Sequence, residues 1–535
     1  LKQLRLRLAR PLCQSPRCIK VVLRSKIVDP TLVSHSRLFF SSMAGSTTTS
    51  TEATPRQRPP LKKAKTGEAF VSELEKLEAQ RSRKAASAAG EHSLTAAEKA
   101  FEEKVFRPTV SSSKIDPAVN FLASKKSYDE SPLFALMSRM PKGAILHTHG
   151  IASGDFKALV EIVRSDGHFY VFTDEKPDLV MGSIRSFAEG ATIPAGWVQA
   201  RSKDEDELYS LLTLKPLPTV EECWYEFGRI WERVRGLACV APFYFGRRGF
   251  LWDIFKRCYE TKVMFLEIKE PIFAPWTEYD GTEIPDDKVA ELFKETVDGF
   301  CAEHPGFRGA RMVVTALKAQ EPDDVRKAYQ RGVELKKKFP NYISGFDMAG
   351  PEDLLKPIRA FAAVLAEEQH IASEQGIDFP FMIHAGETNK PEASQVYDAV
   401  ALGCERIGHG FAIARHPALA EEVLARGISL ECCPISNQVL GYFQNLATHD
   451  AIGLFRAGVP ISISPDDPGM WHYSDVSYDF TAIAKAWHLS LVELKALVWN
   501  SILCSTLRGS EEDEALAVLE KDWNSWIAKE LEAAA

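Results

Sequence analysis

No stretch of this chain approaches the roughly eighteen consecutive apolar residues that mark a membrane-spanning helix, so none can be drawn. Positive charge is also scarce: 65 Lys and Arg stand against 73 Asp and Glu, a formal net charge of −8. Surfaces that grip nucleic acid replace phosphate counterions with clustered Lys and Arg, and this balance excludes a broad surface of that kind. Neither nucleic acid nor a membrane is an expected partner; a small, weakly charged ligand fits better. The ten cysteines include no CxxC pair, which argues against a zinc knuckle or a redox motif, and none lies between Cys18 and Cys223. Unpatterned free thiols suit a reducing compartment. A secretory signal is not expected either, because the apolar stretch Cys18–Leu23 is short and interrupted by Lys20.

What is present is a chain of 535 residues, 45% hydrophobic and 26% charged, enough for one large domain plus extensions. The first forty or so residues carry Arg, Lys and Ser with no acidic residue before Asp29, which resembles a mitochondrial targeting peptide. Ser46 to Gly67 reads as a disordered linker; its basic run Arg56–Lys65 is either an import signal or a solvated charge run. We therefore expect residues 1–69 to be a disordered or targeting segment, 70–130 a helical extension, and 131–526 the main domain. An intracellular location, cytoplasmic or mitochondrial, is expected, with secretion as the alternative.

After Pro141 short apolar runs alternate with helical segments, the pattern of β and α units around a parallel sheet. Eight candidate strands follow: Gly143–His147, Val263–Ile268, Ala310–Leu317, Ile343–Met348, Phe379–His384, Glu405–Gly408, Ile428–Cys433 and Val459–Ser464. Helices are expected at Pro322–Lys338, Asp353–Glu374, Ala393–Leu402 and Pro417–Ala425. Eight such units predict a closed (β/α)8 TIM barrel, an α/β fold. More than a hundred residues separate the first two strands, too many for one crossover, so an inserted subdomain is expected over about 166–218, with helices Val220–Gly236 and Arg248–Thr261 returning to the barrel.

The first strand ends Leu146-His147-Thr148-His149, and residues two apart on a strand project to the same side, so both imidazoles can reach one ion. The fifth strand runs into His384-Ala385-Gly386-Glu387, the sixth into Gly408-His409-Gly410, the eighth into Pro465-Asp466-Asp467-Pro468. Taken singly, each has a plain reading: hydrogen-bonded histidines, a turn histidine, an Asp-Asp turn before proline. All four fall at the carboxyl ends of strands, the face that holds the active site in barrels of this kind.

These motifs, HTH, HAGET, RIGHG and SPDDP, resemble those of the adenosine deaminase family of metal-dependent hydrolases. Met140-Pro141-Lys142-Gly143, Gly345 to Gly350, Cys433 to Leu440 and Ser477-Tyr478-Asp479-Phe480 look like the adenosine deaminase-related growth factor subfamily, a similarity that runs from about Pro141 to Trp526. The resemblance implies hydrolytic deamination of adenosine and 2′-deoxyadenosine, with one Zn2+ per subunit on His147, His149, His384 and Asp466. It further implies that Glu387 gives a proton to purine N1, that His409 orients the water and assists its deprotonation, and that Asp467 holds the attacking oxygen and bonds N7. Gly350 N–H would reach N3. Trp224 and Phe227 either enclose the nucleoside or are ordinary packing aromatics. A homodimer formed through the N-terminal helices is implied as well.

Two departures stand out. Gly150 occupies a position where relatives commonly place an aspartate that helps hold the ribose, leaving Asp155 as a substitute or a pocket for another sugar or none; and the insertion lacks the cysteines of secreted members. Two other functions remain open: a deaminase of adenine, AMP or an N6-substituted nucleotide, and a growth-factor-like signalling protein on the same barrel.

Overall fold

The computed structural model describes residues 94–174, 176, 179–271 and 275–535; the expected segment 1–69 and the start of the helical extension lie outside them. Eight parallel strands form the barrel: β1 (Gly143–His149), β5 (Val263–Pro271), β6 (Ala310–Leu317), β7 (Ile343–Ala349), β8 (Met382–Ala385), β9 (Arg406–His409), β10 (Ser429–Cys432) and β11 (Ile461–Ile463). They pair as two four-stranded sheets, β1-β5-β6-β7 and β11-β10-β9-β8. Single parallel bridges join the halves, Thr148 with Asp466 at one seam and Phe346 with Phe381 at the other. Strands covered on both faces read as nearly continuous apolar runs, which is why the expected strands fall on these elements.

The insertion holds a small antiparallel sheet in the order β3-β2-β4, built from β2 (Phe169–Phe172), β3 (Ile184–Ser186) and β4 (Trp197–Gln199). Helix Val220–Ala238 follows, started by the Thr219 hydroxyl accepting from the Glu222 N–H. Buried Arg233 ties it to the insertion by donating to the carbonyls of Met181 (3.2 Å) and Leu211 (2.6 Å). The N-terminal extension, with helices at Ala96–Phe101, Arg107–Ser112 and Phe121–Asp129, is held to the C-terminal helices of the same chain. Phe101 packs edge-on to Trp526 at 4.8 Å, and the Glu98 carboxylate accepts from Lys495 Nζ (2.7 Å) and Trp523 Nε1 (2.8 Å). Among the described residues no helix is long and apolar enough to cross a membrane.

Candidate metal centre

The seam between β1 and β11 builds the centre. His149 N–H donates to the Asp466 carbonyl and Asp466 N–H to the His147 carbonyl, each at 3.2 Å. Thr148, whose side chain alternates away from the two imidazoles, donates its hydroxyl to the same Asp466 carbonyl at 2.9 Å. With the backbones fixed in this way, the Asp466 carboxylate falls between the two rings: Oδ1 lies 3.3 Å from His147 Nε2 and 3.2 Å from His149 Nε2.

His384, at the end of β8, and His409, at the end of β9, bring their rings 4.5 and 4.8 Å from that of His147. Gly408 makes room, since a Cβ there would meet His147 Cε1 at 3.0 Å. Asp466 and His409 have φ of 66° and 61°, left-handed values that cost non-glycine residues energy and gather at functional sites. Ligand-capable atoms of His147, His384, His409 and Asp466 lie within 4.8 Å of one another, and His149, Asp466 and Asp467 form a second such set.

The donor set fits a cation. His147 Nδ1 is engaged by Glu431 Oε2 at 2.8 Å and His384 Nδ1 by Asp347 Oδ1 at 2.9 Å, so Nε2 of each ring is what remains for the centre. His147 Nε2 and Asp466 Oδ1 are buried without a hydrogen bond, a costly state that a shared ion relieves. Burial holds His384 down to a pKa of about 3, so its ring is neutral. Burial works to raise Asp466, but the His147 and His149 imidazoles outweigh it and hold the carboxylate well below its usual range. Neutral imidazole and ionised carboxylate are the forms that bind metal.

A layer of buried charge supports the ligands from inside the barrel. Glu431 on β10 also faces Lys269 Nζ at 3.2 Å and Arg406 Nε at 2.7 Å. Lys269 reaches Asp347 at 3.4 Å, and Arg406 is paired a second time with Glu267.

Glu387 stands beside this centre on the loop after β8. Glu352 shapes that loop by accepting the N–H groups of Gly386 (2.7 Å) and Glu387 (3.3 Å), while Lys318 Nζ donates to the His384 carbonyl at 2.8 Å. Burial first, then the charges of Asp466 and Glu352, push the Glu387 carboxyl well above the usual carboxylate range. Burial and Asp466 do the same to Asp467, whose Oδ1 has no hydrogen-bond partner. One carboxyl held down thus stands beside two that are pushed up, the kind of separation that acid–base chemistry at neutral pH uses.

The remaining expected residues lie around this face of the barrel. Gly350, with φ 115°, follows β7. Trp224 is half-buried and donates Nε1 to the Tyr442 hydroxyl at 2.8 Å. Phe227 is buried against Trp471, ring centroids 5.0 Å apart. Trp231, one turn further along the helix, stands 6.3 Å from the His149 ring. Asp155 is not free to replace an acid at position 150: it caps helix Phe156–Ser165 and pairs with Arg257 at 3.1 Å. The carboxyl beside Gly150 belongs to Glu270, whose Oε2 would be 2.4 Å from a Cβ at that position. Glu270 is buried, accepts from the Tyr244 hydroxyl, and is pushed by burial up to a pKa of about 8.

A parallel eight-stranded barrel with a His and Asp cluster at its carboxyl ends, flanked by carboxyls that burial pushes up, has the build of a hydrolase that works with a metal. The comparisons narrow the class. The family model for adenosine deaminase matches residues 247–521. Adenosine deaminase 2-A of Danio rerio is 30% identical over 452 residues, covering 80% of this chain and 88% of that protein. Adenosine deaminase 2 of Sus scrofa is 30% identical over 436 residues, covering 77% and 84%. An arabidopsis N6-mAMP deaminase is alike in fold, with a TM-score of 0.53 at 15% identity over 72% of this chain and 99% of that one. The chain belongs to the adenosine deaminase family, a family of hydrolases.

Proposed function

We propose that this protein deaminates adenosine and 2′-deoxyadenosine hydrolytically to inosine and 2′-deoxyinosine, releasing ammonia, with one zinc ion on His147, His149, His384 and Asp466. The observation that carries the reading is the convergence of unpartnered His147 Nε2 and Asp466 Oδ1 beside a carboxyl, Glu387, that burial keeps protonated. Zinc supplies Lewis acidity, enough to bring the pKa of water from 15.7 to about 7.

This chain's own residues do the rest. Glu387 donates its proton to N1, which relieves the charge that builds on the ring when C6 is attacked. Asp467, its carboxyl pushed up and its Oδ1 without a hydrogen-bond partner, has a donor to offer N7. Gly350 N–H serves N3. Trp224 and Phe227 enclose the base, and Trp231 extends that aromatic row to His149. The Glu270 carboxyl next to Gly150 puts an acid, not a cation, beside the metal ligands, which favours a neutral nucleoside over a phosphate ester.

An intracellular location belongs to the same reading, supported by eight described cysteines that are all free. So does a homodimer through the N-terminal helices, whose exposed side carries Glu103, Lys104 and Arg107.

The test is the ultraviolet absorbance change of purified, zinc-loaded protein with adenosine, run beside deoxyadenosine, adenine, AMP and N6-methyl-AMP. Turnover of adenosine that falls by about 10²-fold or more in Glu387→Gln is the expected outcome. Turnover of only another purine moves the substrate, and no turnover at all leaves the signalling reading.

A further inference from the structure

Asn437, buried in helix Pro434–Val439, touches both groups that flank the reacting position. Its Nδ2 lies 3.1 Å from His409 Nδ1 and 3.4 Å from Glu387 Oε1, and its Oδ1 lies 3.1 Å from His449 Nε2. The direction of the protons along this row follows from its far end. The backbone N–H of Ala451 can only donate, and it meets His449 Nδ1 at 3.2 Å. That nitrogen accepts and so carries no proton. Burial holds His449 down to a pKa of about 3, so its ring is neutral and its single proton is on Nε2.

Nε2–H then donates to Asn437 Oδ1, which fixes the amide with its NH2 toward His409. An amide NH2 only donates, so His409 Nδ1 must accept, and the His409 proton resides on Nε2. That nitrogen is the one 3.7 Å from Glu387 Oε1 and 3.9 Å from Asp466 Oδ2. The second amide hydrogen points to Glu387 Oε1, which therefore accepts. His449 is held in place by Phe443, stacked on it at 4.2 Å.

We propose that Asn437 and His449 are positioning residues that set the proton direction of the site: they hold His409 as its Nε2–H tautomer and keep Glu387 Oε1 as an acceptor. His409 then meets the attacking oxygen as a donor, the opposite of the proton-accepting role that the sequence resemblance implies. What the donor is used for rests on the proposed deaminase reading; the proton positions do not.

The test reads the tautomers directly. Zinc-loaded protein carrying 15N-histidine is examined by long-range proton–nitrogen correlation, with His409→Asn and His449→Gln assigning the two rings. The expected result is a bare Nδ1 and a protonated Nε2 on both. In Asn437→Leu the His409 ring should shift toward Nδ1–H, with kcat falling by about 10²-fold, at the low end of what a positioned proton donor contributes, and KM little changed. His449→Leu should behave likewise, whereas His449→Gln, whose amide can still donate to Asn437 Oδ1, should retain the tautomer and most of kcat. A protonated Nδ1 on His409 in the unaltered protein overturns the proposal, as does an unchanged tautomer and kcat in Asn437→Leu. Equal losses in His449→Gln and His449→Leu remove His449 from the row. A protein that shows these tautomers but turns over no nucleoside would sink the deaminase reading and leave the proton row standing.

Discussion

Replacing Glu431 by Gln should weaken metal binding without touching a ligand. Its Oε2 accepts from His147 Nδ1 at 2.8 Å and so leaves Nε2 bare toward Asp466. Burial would raise this carboxyl, but Lys269 and Arg406 outweigh it and hold it far below the usual range, so it is a full anion. Gln fills the same volume but loses that charge, and its amide can turn an NH2 toward the ring. Outer partners of this kind are typically worth 10- to 100-fold in metal affinity, about 1.4–2.8 kcal/mol at roughly 1.4 kcal/mol per decade. The variant also leaves Lys269 and Arg406 with Asp347 and Glu267 as their remaining ion-pair partners. Removing one partner of a buried pair costs about 3–5 kcal/mol, and the two remaining acids place the loss near the lower end. Zinc affinity is read by competition with a chromophoric chelator, and stability by thermal melting of the metal-free protein. A Glu431→Gln protein that holds zinc as tightly as the parent would refute the claim that this carboxylate orients His147.

Gly150→Ala should destabilise by about 1–3 kcal/mol, the usual cost of overpacking, because its Cβ would come within 2.4–2.7 Å of the Glu270 carboxyl; most of the loss should disappear in Gly150→Ala/Glu270→Ala, and melting points that simply add would contradict the packing. Glu270 also makes a signed pH prediction. Its pKa is raised from 4.5 to about 8, so the folded chain keeps a proton that the unfolded chain releases in that window. Stability from this group is thus complete below 4.5 and lost as pH rises to about 8, an effect of at most about 5 kcal/mol at roughly 1.36 kcal/mol per unit. Denaturant midpoints across this range should fall less steeply in Glu270→Gln; parallel curves would mean that the carboxyl is ionised in the folded protein.

The barrel was legible because strands buried on both faces leave short apolar runs, and the misplacements have local causes. β1 continues two residues past the expected His147, since Thr148 and His149 pair with Asp466 across the seam. β8 begins at Met382 rather than Phe379, because Pro380 has no N–H for a ladder and serves only as an acceptor for Phe346. The helix expected from Asp353 starts at Ala362: Pro357 interrupts it, and Glu352 and Asp353 spend their carboxylates on the Gly386–Thr388 loop. The antiparallel sheet of the insertion has three- and four-residue strands, too short for an alternation to show. The candidate ligands at strand ends stand in recognisable motifs, but nothing in a motif points to Asp347, Glu431, Lys269, Asn437 or Trp231, because their partners come from distant strands or helices. A signal did exist for three of them. Lys269, Asp347 and Glu431 are charges inside largely apolar strands, and a charge there has to find a partner across the barrel.

Barrel closure and the candidate centre are the same set of contacts. Each seam between the four-stranded halves has a single backbone bridge, too little on its own to fix the register of two sheets. At the first seam the bridge is made by Thr148 and Asp466, with the Thr148 hydroxyl adding a second bond to the Asp466 carbonyl. At the second, Asp347 reaches from β7 to accept both the backbone N–H of His384 (3.1 Å) and its ring Nδ1 (2.9 Å). His147 and His149 come from one half, His384 and Asp466 from the other. An ion held by these four residues would therefore cross-link the two halves where their hydrogen bonding is thinnest. Binding free energy at such a site is folding free energy, and the left-handed backbone of Asp466 and His409 is strain that such a cross-link would help to offset.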